Sequence, residues 1–291
     1  MDSDKLEQGR SGAALRYVLV DVFTDRPLEG NQLAVFTDAR GLLPEQMQRL
    51  ATEMNFSESV FVLPPEKDGD ARIRIFTPAN ELPFAGHPVL GSAFVVGDPL
   101  QRNQLRLETG RGIVPVELTR EGARIAFGRM QQPIPSWRRY ERETELLSAL
   151  GVGSSRLPIE AYENGPLHVY VELESEAAVA ALKPNLTALA MLPVGANCFA
   201  GSGRVWKTRM FAPGLGVAED PATGSAAGPL AVHLARHGQI RFGEEIEIHQ
   251  GRELRRPSVL YARAIGSEKK LERVEVGGSA VVVARGEFRR Y

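Results

Sequence analysis

The chain has 291 residues, 43% of them hydrophobic and 24% charged, a length that suits two globular domains of roughly 100–150 residues each. With 35 Lys+Arg against 36 Asp+Glu the net charge is -1, so no basic surplus points to nucleic acid and no acidic excess to a charged partner. The single cysteine, Cys198, excludes an intrachain disulfide and a cysteine-built zinc cluster, and it suggests a reducing, cytoplasmic location.

Residues 1–15 are polar and lack an apolar h-region, so they read as a disordered N-terminal extension and not as a secretory signal. Nowhere does an apolar run approach the roughly 20 residues that a membrane span needs. An N-terminal lobe is expected over 16–130. Its first strand, 17–23, is rich in β-branched and aromatic residues and stops at a turn near Pro27 and Gly30. A second strand follows at 33–36. Pro44 at a helix start, with Met47, Leu50, Ala51 and Met54 on one face, predicts an amphipathic helix. Strands at 60–63 and 71–76 precede a helix from Pro88 to about Val96, and strands at 105–107, 113–118 and 124–127 complete the lobe.

Closely spaced prolines in 131–137 interrupt both periodicities and mark a linker. The C-terminal lobe, 131–291, repeats the plan. Helices are expected at about 141–150, 176–183 and 225–237, the last stopped by Gly238. They lie among strands at 167–171, 196–199, 205–211, 245–248, 258–264, 274–276 and 280–284. Whether the final strand returns to the first lobe is left open. The fold class is α+β: two pseudo-symmetric lobes, each a mixed β-sheet around a central Gly-rich helix, unlike the alternating units of a Rossmann fold.

Two segments carry the duplication most plainly. They are Phe84-Ala85-Gly86-His87-Pro88-Val89-Leu90-Gly91-Ser92-Ala93 and Asp220-Pro221-Ala222-Thr223-Gly224-Ser225-Ala226-Ala227-Gly228-Pro229. Each is a small-residue turn, a polar residue and an abrupt apolar helix. Glycine lets the backbone approach a ligand closely. A helix start offers unpaired N–H groups and the positive end of its dipole, which suits a carboxylate. Two such starts facing one another would hold a small-molecule carboxylate from both sides.

Glu58, between serines where a helix gives way to a strand, is the candidate general base; burial would raise its pKa toward neutrality. Taken alone it also reads as a solvated loop acid. His87 at the first helix mouth is a candidate polar contact or proton relay. Asp220 and Ser225 serve equally as a turn residue and a helix cap, or as partners across the cleft. No metal is expected, since His168, His233, His237 and His249 form no ligand set with His87, and His233/His237 lack the His-Glu-x-x-His pattern. Nucleotide loops and the nucleophile elbow are absent from the sequence.

Gly30-Asn31 with Ala34-Val35-Phe36, Met54-Asn55-Phe56-Ser57-Glu58-Ser59, Phe76-Thr77-Pro78 with Glu81 to Pro88, and Glu219 to Ala226 together resemble the PhzF family. That family takes its name from a phenazine-biosynthesis isomerase and has the diaminopimelate epimerase-like fold. The resemblance runs from about Tyr17 to the C-terminal strands. It extends to segments beyond the shared motifs, such as Asn164-Gly165-Pro166 and residues 229–237. It departs at Gln32, where the family usually has proline, and in the absence of the paired cysteines of the epimerases.

The resemblance implies a cofactor-independent isomerisation of trans-2,3-dihydro-3-hydroxyanthranilate to an aminoketone in phenazine biosynthesis. Glu58 would move a proton from C3 to C1 of the ring. His87 and Asp220 would contact polar groups of the substrate. Ser57, Ser225 and the backbone at Gly86 and Gly224 would help to hold it. A homodimer and lobes that close on substrate are implied as well. The competing readings are a family member with another small amino or hydroxy acid as substrate, and a non-catalytic ligand-binding protein.

Overall fold

The computed structural model describes residues 14–289. Most of the expected 1–15 extension therefore lies outside the described residues, and Leu15, assigned to it, instead opens the first strand as a buried residue opposite Phe288. The first half runs β1 (Leu15–Val22), β2 (Asn31–Phe36), α1 (Pro44–Met54), β3 (Glu58–Leu63), β4 (Ala71–Phe76), β5 (Glu81–Leu82), α2 (Gly86–Leu100), β6 (Gln104–Thr109), β7 (Gly112–Glu121) and β8 (Arg124–Gln132). The second runs β9 (Ser136–Arg139), α3 (Glu143–Leu150), β10 (Glu160–Glu163), β11 (Leu167–Glu172), α4 (Glu176–Ala181), α5 (Leu186–Leu189), β12 (Gly195–Ser202) and β13 (Val205–Ala212). It ends with β14 (Val217–Asp220), α6 (Gly224–Arg236), β15 (Glu245–Gln250), β16 (Ser258–Ser267), β17 (Lys270–Gly278) and β18 (Ala280–Phe288).

Strand pairing makes the duplication explicit. One lobe has the order β18–β1–β2–β3–β4–β6–β7–β8. The other has β9–β10–β11–β12–β13–β15–β16–β17. In each, helical crossovers join two parallel pairs, β2 with β3 and β4 with β6 in the first, β11 with β12 and β13 with β15 in the second. The last strand does return: β18 pairs antiparallel with β1. β9 pairs in the same way with β10, and β8 pairs with β17 to bind the lobes into one sheet system.

Each sheet wraps a helix that is apolar on nearly every side. Gly86 to Phe94 of α2 and Gly224 to Ala235 of α6 are all buried, as expected of a helix with no solvent face. α2 is longer than the expected 88–96. It starts at Gly86, and Pro99 falls in the last turn, where a missing N–H forfeits a single bond before Gln101 ends the helix in the left-handed region. Gln131 and Gln132, expected in a linker, complete β8 opposite Glu275 and Val274. The connection is therefore confined to 133–135. Among the described residues no helix is long and apolar enough to cross a membrane.

Candidate active site

The two helix mouths meet backbone to backbone. A Cβ on Gly86 would fall on the carbonyl carbon of Gly224 and the amide nitrogen of Ser225, and one on Gly224 would come within 2.8 Å of the Phe23 ring and 3.0 Å of the His87 nitrogen. Glycine at both positions is thus a steric requirement of this approach. Pro229 has no N–H to give to the Ser225 carbonyl, which accepts instead from Asn164 Nδ2 at 2.9 Å. The neighbouring carbonyls of Gly224 and Ala226 accept from Gln132 Nε2 at 2.7 Å and Tyr170 OH at 2.7 Å. The start of α6 is therefore clamped from β8, β11 and the turn after β10.

Above the mouths lies a cavity of about 280 Å³. Glu58, His87, Asp220, Gly86, Gly224 and Ser225 all line it. Ser57 does not; it stands behind, its hydroxyl donating to Asn31 Oδ1 at 3.1 Å. Asn31 Nδ2 donates to Asp220 Oδ1 at 2.8 Å and to the Ala222 carbonyl at 2.9 Å, and lies 3.2 Å from His87 Nδ1. One amide thus ties the two lobes together beneath the site. The turn carrying Asn31 is held by Arg256 of the other lobe, which donates to the carbonyls of Gly30 at 2.9 Å and Glu29 at 2.6 Å and to Asp21 at 2.6 Å.

Glu58 opens β3 beside Leu33 of β2. Its Oε2 is 3.6 Å from His87 Nε2, and neither buried atom has a hydrogen-bond partner among the described residues. Two polar atoms left this way in a cavity wall are poised for a ligand. Burial pushes the Glu58 carboxyl well above its usual range, the charge of Asp220 adds to the rise, and the Ser57 hydroxyl opposes it. Asp220 is raised mainly by burial, against hydrogen bonds from Thr223, at 2.6 Å, and Asn31. Burial drives His87 down to about 3, so its imidazole is neutral across the physiological range. The site therefore holds two carboxyls that resist ionisation and an uncharged imidazole, a combination suited to moving protons.

Sequence reasoning missed His168, Asn197 and the part played by Asn31. His168 Nε2 lies 3.0 Å from Ser225 Oγ, and Asn197 Nδ2 is 3.3 Å from His168 Nδ1. Strand register alone brings them together, although alternating polar residues in otherwise apolar strands are the local trace they leave. His233 and His237 do converge, with Glu160, at metal-ligand spacing. The positive charge on that carboxylate is the Arg236 guanidinium, 2.6 Å away, which opposes a further cation. A larger groove of about 1010 Å³ lies between α2, β1 and β18. None of the expected site residues lines it, so size alone does not mark the site.

A duplicated mixed lobe with a buried helix start facing its counterpart is the diaminopimelate epimerase-like fold. Residues 20–286 match the family model PhzC-PhzF, described as phenazine biosynthesis-like protein. The chain is 56% identical over 272 residues to the trans-2,3-dihydro-3-hydroxyanthranilate isomerase of Pseudomonas aeruginosa, covering 93% of this chain and 98% of that one. A PhzF-family phenazine biosynthesis protein from Bacillus anthracis superposes with a TM-score of 0.83 at 26% identity, over 95% of this chain and 99% of that one. A hydroxyproline epimerase from Agrobacterium vitis shares the fold with a TM-score of 0.69 at 10% identity, over 95% and 91% of the two chains. The chain belongs to the PhzC-PhzF family.

Proposed function

We propose that the protein isomerises trans-2,3-dihydro-3-hydroxyanthranilate to the aminoketone 6-amino-5-oxocyclohex-2-ene-1-carboxylate, a step in phenazine biosynthesis. The observation that carries this reading is Glu58 Oε2, a buried oxygen without a partner among the described residues, 3.6 Å from His87 Nε2 at the wall of a cavity between two helix starts. The Pseudomonas aeruginosa isomerase, 56% identical over nearly its whole length, supplies the substrate. Ionised Glu58 takes the proton from C3 and the resulting acid returns it at C1, giving an enol that tautomerises to the ketone. Only hydrogen and the double bonds move, so the step balances without an oxidant, reductant or group donor. His87 and Asp220 contact the substrate's polar groups, while Ser225 and the backbone at Gly86 and Gly224 help to hold it.

We further infer a cytoplasmic homodimer whose lobes close when substrate binds. Sedimentation giving only a monomer would remove the dimer. The reading as a whole is tested by incubating the protein with the diene. Loss of its absorbance with coloured condensation products supports the proposed reaction. An unchanged spectrum overturns it in favour of another small amino or hydroxy acid substrate.

A further inference from the structure

One wall of the cavity carries a chain of buried groups that the proton transfer does not use. His168 sits on β11, beside Gly195 of β12. It is 2% exposed. Asn197 Nδ2 donates to the Gly195 carbonyl at 2.8 Å, which fixes the amide orientation, because the reverse would set two oxygens against each other. The second hydrogen of that nitrogen faces His168 Nδ1, 3.3 Å away. Burial lowers His168 to about 3, so the ring is neutral. A neutral imidazole that accepts at Nδ1 carries its hydrogen on Nε2.

The direction of the next bond follows. His168 Nε2 is 3.0 Å from Ser225 Oγ, so the imidazole donates and the hydroxyl accepts. The hydrogen of Ser225 is left to point elsewhere, and Ser225 lines the cavity. With the opposite tautomer the hydroxyl would donate to the ring and turn only lone pairs toward an anion. The Ser225 carbonyl is held by Asn164, which fixes the backbone from which the hydroxyl projects.

We propose that His168, oriented by Asn197, is a positioning residue that sets Ser225 as a hydrogen-bond donor to the substrate's anionic group. This rests on the proposed isomerase reading. Because that bond is made to substrate and transition state alike, its loss falls on KM more than on kcat.

The test is steady-state turnover of trans-2,3-dihydro-3-hydroxyanthranilate by the wild type, His168→Leu, His168→Gln, Ser225→Ala and the His168→Leu/Ser225→Ala double variant, with thermal unfolding of each. Leu keeps the volume and removes the donor, whereas the Gln amide restores a donor near the Nε2 position. His168→Leu is expected to raise KM about tenfold, the worth of one hydrogen bond to a charged group, while kcat falls less than threefold. His168→Gln should recover KM to within about threefold of the wild type. In the Ser225→Ala background, His168→Leu should add less than a twofold change, since the two act through one bond. An unchanged KM in His168→Leu, a Gln variant as impaired as Leu, or multiplying effects in the double variant would overturn the proposal. If Leu does not fold, the Gln variant decides by the same KM criterion. A wild type that leaves the diene untouched refutes the isomerase reading itself, a result distinct from all of these.

Discussion

Replacing Gly86 with alanine probes the contact on which the site is built. The added methyl would be driven into the backbone of Gly224 and Ser225, and neither atom belongs to a side chain able to rotate away. Relief requires the two helix starts to separate by about 1 Å, and a misplacement of that size costs on the order of 100-fold in rate. Overpacking against rigid backbone costs about 3 kcal/mol, at the upper end for an added methyl. For a protein of this size that lowers Tm by roughly 5 °C. Gly153→Ala is the control, because its Cβ would meet nothing within 4 Å. It should shift stability by less than about 0.5 kcal/mol. Thermal unfolding and turnover of the diene measured on the same preparations report both effects. A Gly86→Ala protein with wild-type Tm and kcat would mean that the helix mouths do not touch, and the reasoning from them would fail.

Two further expectations concern pH. A general base must be ionised, and Glu58 is raised above the usual 4.5 by burial and by Asp220, so kcat/KM should rise with pH along a limb displaced well above that value. An ascending limb centred at or below 4.5 in a kcat/KM profile would contradict the burial argument. The same shift acts on stability with a definite sign. A carboxyl whose pKa is raised by folding is tolerated when protonated, so its favourable contribution is present below 4.5 and lost as pH climbs through the raised value. Glu58→Gln should therefore match the wild type near pH 4 and become progressively more stable above it, by up to about 1.4 kcal/mol per pH unit across the window. Urea unfolding of both proteins at several pH values checks this, and a constant difference would count against it.

The legible part of the site is the part encoded locally. The Gly86 and Gly224 segments read as helix starts because small residues, a polar residue and an apolar run are contiguous, and both helices begin there. Glu58 was visible as an acid set among apolar residues at the start of a strand. What escaped depends on pairing between distant strands. Gln132 looked like linker because Pro133 and Pro135 follow it, yet its register partner Val274 lies in the other half of the chain. The return of β18 to β1 joins residues some 260 positions apart, which no local pattern decides. His168 meets Ser225 across 57 residues, and as a lone histidine in a strand it gave no sign of that partner. Asn31, named only as part of a motif, proved to be the amide that spans the two lobes.

The claim on which all else depends is that one carboxyl carries hydrogen between two ring carbons. It is tested most directly by Glu58→Gln, which keeps the shape and removes the acid–base function. With the diene as substrate, kcat should fall at least about 1000-fold, within the range that a positioned acid–base group contributes. The Kd of the unreacted diene, measured by calorimetry on the inert variant, should stay within about threefold of the wild-type KM. A variant that turns over within tenfold of the wild-type rate would contradict the account.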